Sequence, residues 1–208
     1  MALAKVMVAD DQPLILEALT ARLALLGMPI TAVAPGGLCL LDTFVEAQPD
    51  VLVLDVKLQA GSGLGIARQL LSRAPNARLV FFAQQTQMSI ISDVYRLGAR
   101  GYVTKDMPIS ILADSIRTAH RGDIYFMPGM AERVATTHER SPYSLLAERE
   151  MAVFKLMATG LSIQEIASAL RVTRKTAGLI CAAVRSKLSA PRSADITRLA
   201  VRYEVIDA

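Results

Sequence analysis

Short apolar runs alternate along the first half of the chain with stretches whose apolar residues recur at helical spacing. The runs fall at residues 5–9, 30–34, 51–54, 79–82 and 101–103, and each reads as a strand. The spacing predicts helices over 13–26, 37–47, 63–72, 88–97 and 108–121, with Leu14, Ala18, Leu19, Leu23 and Leu26 as the core positions of the first. Gly27 and Gly98 stand as helix stops, and Pro75 closes the third helix. The central run, Val51-Leu52-Val53-Leu54, is apolar throughout, as expected of a strand buried on both faces. A βα repeat of this kind builds a parallel sheet with helices on both sides.

Beyond residue 124 the pattern loosens, and Pro128, Gly129, Ser141 and Pro142 mark a linker over 125–143, with a short helix expected at 131–135. Helical spacing returns over 146–157, which Gly160 ends, then over 163–170 behind Ser162, over 174–188 behind Thr173, and over 194–205. Two short helices joined by a tight turn at Arg171-Val172 form a helix-turn-helix pattern, whose second helix would enter the major groove of DNA. Charge divides the chain at the same place. Residues 1–124 carry 11 Lys and Arg against 11 Asp and Glu, whereas residues 141–208 carry 10 against 6, so the net +4 resides in the C-terminal part. That excess points to a nucleic-acid partner for the second domain.

Composition narrows the remaining classes. At 52% hydrophobic residues, 208 residues can form two real cores. No apolar run approaches the roughly 18 residues of a membrane span, and no signal peptide is evident, so a cytoplasmic protein without a membrane partner is expected. Cys39 and Cys181 are isolated thiols, expected to be buried and reduced. His120 and His138 form no metal or catalytic pattern.

The candidate chemistry sits at strand ends. Asp55 follows the central run, and Asp10-Asp11 follow the first strand. In an open parallel sheet ligands bind outside the carboxyl ends of the strands. One such Asp is more often a cap or turn residue, and Pro13 suits the first turn of a helix that one of the two acids could cap, but a single cap does not need two carboxylates. If the two strands are neighbours, Asp10, Asp11 and Asp55 converge and repel one another unless a cation joins them. Mg2+ fits such hard oxygen ligands, and Lys105, after the fifth strand, adds a positive charge at a third strand end.

The order Asp10-Asp11, Asp55, then Tyr102-Val103-Thr104-Lys105-Asp106 resembles the receiver domain of two-component response regulators. Thr159-Gly160-Leu161-Ser162, Glu165-Ile166-Ala167 and Lys175-Thr176 resemble the LuxR-like helix-turn-helix signature, and together the two halves look like the NarL/FixJ type. The resemblance implies a flavodoxin-like receiver with a five-stranded parallel sheet over 1–124, followed by an all-α helix-turn-helix domain of four helices over 144–208. It implies that Asp55 is the phosphoacceptor, that Asp10, Asp11, Asp55 and the backbone carbonyl of Lys57 hold Mg2+, that Lys105 contacts the phosphoryl group, and that Tyr102 is the aromatic switch. It also implies a sensor histidine kinase as phosphodonor, DNA as target and a homodimer, in a protein that is its own substrate and not a turnover enzyme.

The chain departs from that pattern in three places. Ala83 stands where relatives carry a Ser or Thr whose hydroxyl bonds a phosphoryl oxygen, so weakened or rerouted switching is expected. Gln59 replaces a proline common after the phosphoacceptor. In the recognition helix, Gly178 and Ala182 occupy positions that commonly carry base contacts, leaving Arg171, Thr173, Arg174, Lys175, Thr176, Leu179, Arg185, Lys187 and Arg192 as candidates for DNA contact. An apolar Leu179-Ile180-Cys181 face, if exposed, would instead suit a protein interface. A haloacid-dehalogenase-type phosphatase or mutase also uses a strand-end Asp, but expects a second Asp where Lys57 stands.

Overall fold

A computed structural model describes residues 3–35, 39–58, 61–126, 130–137 and 139–206. The chain forms two compact units, Met1–Glu139 and Arg140–Ala208.

In the first unit, β1 (Val6–Ala9), β2 (Ile30–Ala34), β3 (Val51–Leu54), β6 (Leu79–Ala83) and β7 (Gly101–Thr104) form one parallel sheet in the order β2-β1-β3-β6-β7. Two-residue strands β4 (Lys57–Leu58) and β5 (Gly61–Ser62) pair as a small hairpin that the apolar pattern did not reveal. Alternate strand residues face opposite sides. Val6, Val8, Val51, Val53, Val80, Phe82 and Val103 pack with α1 (Pro13–Leu25) and α5 (Ile109–His120). Met7, Leu52, Leu54, Leu79 and Phe81 are equally buried on the other side, where α2 (Leu40–Ala47), α3 (Gly63–Arg73) and α4 (Met88–Arg96) lie. The expected start of α2 at Gly37 lies outside the described residues, as do Gln59, Pro128, Gly129 and His138.

Helix α1 runs where the spacing placed it but is rotated in phase. Its buried residues are Leu16, Leu19 and Leu23, whereas Leu14, Ala18 and Leu26, expected in the core, are exposed. Nearly every face of this helix is apolar, so periodicity gave no unique inner face. Cys39 is exposed just before α2 and not buried as expected; Cys181 is buried. The short helix α6 (Met130–Thr136) packs on α4, fixed by the Arg96 guanidinium donating to the Thr137 carbonyl and by an edge contact of Tyr95 with Phe126 at 5.3 Å.

The second unit is helical: α7 (Pro142–Leu145), α8 (Glu148–Ala158), α9 (Ile163–Ala169), α10 (Arg174–Lys187) and α11 (Ser193–Arg202). Helices α8, α9, α10 and α11 enclose Met151, Phe154, Ile166, Ala177, Val184, Ile196 and Ala200. Helix α7 begins inside the stretch read as linker, because Tyr143 is a core residue there and its hydroxyl donates to the Tyr203 carbonyl at 3.0 Å. Among the described residues no helix is long and apolar enough to cross a membrane.

Candidate functional site

Register brings the strand-end residues together. Ala9 lies beside Leu54 in the β1–β3 pair, so Asp10 and Asp55 leave the sheet as neighbours, and the Asp55 N–H donates to the Ala9 carbonyl at 3.0 Å. Ala83 lies beside Thr104, and the Lys105 N–H donates to the Ala83 carbonyl at 2.9 Å, which carries the Lys105 stem to the same edge. Gly63, at the start of α3, makes the close approach behind Asp55: a Cβ there would sit 1.8 Å from the Asp55 carbonyl oxygen.

Lys105 Nζ lies 2.7 Å from Asp10 Oδ2 and 2.7 Å from Asp55 Oδ2, and all three side chains are at most 6% exposed. The remaining oxygens have backbone partners. Asp10 Oδ1 accepts from the Gln12 N–H at 2.9 Å, and Asp55 Oδ1 accepts from the Lys57 N–H at 3.3 Å. One oxygen from each of Asp10, Asp11 and Asp55 falls within 4.8 Å of the others, with Asp11 the most exposed. Two buried carboxylates share one ammonium, so charge there is incompletely balanced. Burial pushes the Asp55 carboxyl up to about 6, opposed by Lys105 and aided by Asp10. Burial works against the Lys105 ammonium too, but Asp55 and Asp10 outweigh it and hold its pKa up.

Ala83 is fully buried at the end of β6 and adds no polar group to this pocket. Tyr102 on β7 is 4% exposed, and its hydroxyl donates to the Gln85 carbonyl at 2.6 Å. The ring is thus held inside by a loop carbonyl. Nothing in the sequence pattern marked Gln85 as that partner.

In the second unit, Ser162 Oγ accepts from the Glu165 N–H at 3.3 Å, and Thr173 Oγ1 accepts from the Thr176 N–H at 3.1 Å, so both expected caps form. The turn between α9 and α10 places Arg171 at φ +52°, in the left-handed region. Arg171, Arg174 and Lys175 cluster, exposed, at the start of α10. Other expected cations have partners inside the domain. Lys187 Nζ lies 2.6 Å from Glu150, Arg185 donates to the Pro191 carbonyl at 3.0 Å, and Arg192 pairs with Asp195 at 3.2 Å. Along the outer face Leu179 is 65% exposed and Ala182 is exposed, but Ile180 is half-buried and Cys181 faces the core. The apolar face considered for a protein interface therefore reduces to Leu179.

Gly178 lies on the same face with room for a side chain: the nearest atom to an added Cβ is on Ile163, 4.0 Å away. Gly178→Ala should raise the unfolding free energy by about 0.5–1 kcal/mol in a denaturant titration, since the helix loses a flexible residue without a clash.

Residues 6–117 match the response regulator receiver domain, and residues 144–200 match the LuxR family of bacterial regulatory proteins. The chain is 29% identical to the response regulator GacA of Pseudomonas aeruginosa over 210 residues, covering 98% of each chain. It is 26% identical to the oxygen regulatory protein NreC of Staphylococcus carnosus, covering 98% of this chain and 99% of that one. Its fold is shared with Salmonella typhimurium RcsB, at a TM-score of 0.67 and 19% identity, covering 98% of this chain and 100% of that one. Another similar structure, at a TM-score of 0.64, 18% identity and 95% and 98% coverage, is RcsB of Salmonella enterica serovar Typhimurium bound to promoter DNA in the presence of the phosphomimetic BeF3−. With a receiver fold, its acidic strand-end cluster and a helix-turn-helix domain of the LuxR family in one chain, this protein belongs to the two-component response regulators of the NarL/FixJ type.

Proposed function

We propose that the protein accepts a phosphoryl group on Asp55 from a sensor histidine kinase and acts as a homodimeric transcriptional regulator through its C-terminal domain. The single observation that carries this reading is the convergence of Asp10, Asp55 and Lys105 within 2.7 Å contacts in a buried pocket, with Asp11 beside it. In this reading the receiver spans 1–124, a linker 125–143 and the DNA-binding domain 144–208, in a cytoplasmic protein.

The donor set fits Mg2+: Asp10, Asp11 and Asp55 each offer one oxygen within 4.8 Å of the others, and the Lys57 backbone carbonyl, which the family resemblance implies as a ligand, would add a further hard oxygen. When bound, Mg2+ neutralises charge on the transferring phosphoryl group. An Asp55 oxygen attacks phosphorus, the P–N bond to the kinase imidazole breaks as the O–P bond forms, and the released imidazole takes a proton. The Lys105 ammonium moves from sharing two carboxylates to pairing with a phosphoryl oxygen. The protein is consumed as acceptor in this step and is regenerated by hydrolysis, so it is a substrate and not a turnover enzyme.

The switch that follows is weak at Ala83. No hydroxyl is present there to bond the phosphoryl group, and Tyr102 already has an inner partner in the Gln85 carbonyl. A hydrogen bond to a charged group contributes roughly 1.5–3 kcal/mol, so Ala83→Thr should increase the effect of beryllofluoride on dimerisation by about tenfold or more. An identical response in both proteins, measured by sedimentation, contradicts this.

For DNA, the exposed Arg171, Arg174 and Lys175 supply phosphate contacts at the start of α10, with Thr173 and Thr176 beside them, while Leu179, Gly178 and Ala182 face outward without a hydrogen-bonding side chain. Arg185 and Lys187 reach DNA only by giving up the partners described above. The test is fluorescence anisotropy on promoter-derived and randomised duplexes at fixed salt, with and without Mg2+ and beryllofluoride. Selective binding that strengthens with the mimic supports a phosphorylation-controlled regulator. Binding that is neither selective nor sensitive to Lys175→Ala favours a protein partner at Leu179.

A further inference from the structure

Helix α4 is buried all round. Residues 89–94 are all buried, the polar Ser89, Ser92 and Asp93 among them, although a helix laid on one face of a sheet turns its polar side to solvent. Six consecutive residues pass more than once around a helix, so a second element lies on the side away from the sheet, and α6 is the element packed there. The chain comes to it along the edge of the sheet. After α5, Tyr125 pairs with Gly101; its N–H donates to the Arg100 carbonyl at 2.7 Å, and its carbonyl accepts from the Tyr102 N–H at 3.4 Å. Phe126 then meets the Tyr95 ring edge-on, Val134 of α6 is buried, and the Arg96 guanidinium donates to the Thr137 carbonyl. Tyr125, Phe126 and α6 thus form a strap that lies along β7 and over α4.

The strap acts on Tyr102 from two directions. The Tyr102 backbone is bonded to Tyr125, and its hydroxyl to the carbonyl of Gln85, which stands just ahead of α4 in the chain. A helix pinned by α6 fixes that carbonyl, and with it the ring. The phosphoacceptor pocket has less purchase: Ala83, at the end of β6 beside the Tyr102 strand, carries no hydrogen-bonding side chain that could link the pocket to the ring.

The strap is also built to open as a unit. Helix α6 has seven residues, too short to be stably helical alone in water, so its helix depends on its packing against α4. Docking and helix formation are one event, and the strap is either closed and folded or open and unfolded.

We propose that this strap, and not the phosphoryl group, sets the position of Tyr102: with α6 docked on α4 the ring stays inside whether or not Asp55 is modified, and the ring responds to Asp55 only when the strap is open. The inference rests on the reading above for what Asp55 accepts, and goes beyond it by locating control of the response in the residues that follow α5.

Fluorine NMR of the full chain labelled with 3-fluorotyrosine tests it, with the Tyr102 signal assigned through Tyr102→Phe and spectra taken with and without Mg2+ and beryllofluoride. In the wild type the Tyr102 signal should not move when beryllofluoride binds. Val134→Asp, which sets a charge in the α4–α6 contact, should speed amide hydrogen exchange over residues 88–97 about tenfold or more and make the Tyr102 signal move with beryllofluoride. Arg96→Ala should do the same to a smaller degree, and it carries the test if Val134→Asp fails to fold by circular dichroism. A wild-type Tyr102 signal that shifts on binding beryllofluoride overturns the proposal. So does exchange over 88–97 that is the same in wild type and in the folded variants. If the wild type shows no fluorine signal of bound beryllofluoride, the phosphoacceptor reading fails by itself; unaltered exchange in the variants then still overturns the strap, and faster exchange with an altered Tyr102 signal supports it.

Discussion

Replacing Lys105 by Met should destabilise the metal-free receiver by about 3–5 kcal/mol at pH 8, because it leaves the buried Asp10 and Asp55 carboxylates with no cation between them. The hydrophobic stem of Met fills the space of the Lys stem, so loss of packing contributes little. Lys105 holds the Asp55 pKa down, so without the ammonium Asp55 takes up a proton at a pH above the wild-type value of about 6 instead of bearing the repulsion. The deficit should therefore shrink as pH falls. Millimolar Mg2+ should return much of the lost stability, since it binds the folded pocket and not the unfolded chain. Urea titrations at two pH values, with and without Mg2+, give all four numbers. Equal stability of variant and wild type at pH 8 in the absence of Mg2+ contradicts the charge account of this pocket.

Asp55→Asn should have the opposite effect on stability and abolish phosphoryl acceptance. The Asp55 carboxyl has a pKa of about 6 in the folded protein against an ordinary 3.8, so between these values the folded state binds more protons than the unfolded one. Stability from this group is present below about pH 4 and is lost as pH rises to about 6, and above that the buried charge costs about 2–3 kcal/mol. Asn carries no such charge, and Lys105 keeps Asp10 as its partner. The variant should thus be more stable than wild type by up to about 2–3 kcal/mol at pH 8 and nearly equal to it at pH 4. Phosphoryl uptake by the wild type needs the ionised carboxylate, and because Mg2+ on the same carboxylates favours that form, uptake should decline with falling pH only below the metal-free value of about 6. In Asp55→Asn it should be absent at every pH. A variant less stable than wild type at pH 8 contradicts the assignment of the raised pKa to burial.

The candidate pocket was legible in the sequence because parallel strands buried on both faces leave continuous apolar runs, and the first residue after each run must lie at the sheet edge. Val51-Leu52-Val53-Leu54 placed Asp55, and Val6-Met7-Val8-Ala9 placed Asp10, without knowledge of register. The phase of α1 was not legible, because Leu14, Ile15, Leu16, Ala18 and Leu19 offer several apolar faces, and only packing against β1 and β2 selects Leu16, Leu19 and Leu23. The same ambiguity in α10 left open whether Cys181 or Leu179 faces outward. Contacts between distant residues carry no local signal. The Tyr102–Gln85 hydrogen bond and the Lys187–Glu150 ion pair, which removes a cation from the expected DNA set, needed the fold.

The central claim is that Asp55 is the phosphoryl acceptor. Intact mass spectrometry of the full chain after incubation with Mg2+ and acetyl phosphate at neutral pH tests it most directly. The account predicts the gain of one phosphoryl group, lost on hydroxylamine treatment as an acyl phosphate is, and no gain in Asp55→Asn. A phosphoryl group retained by Asp55→Asn, or none taken up by the folded wild type with acetyl phosphate or with a panel of histidine kinases, would contradict it.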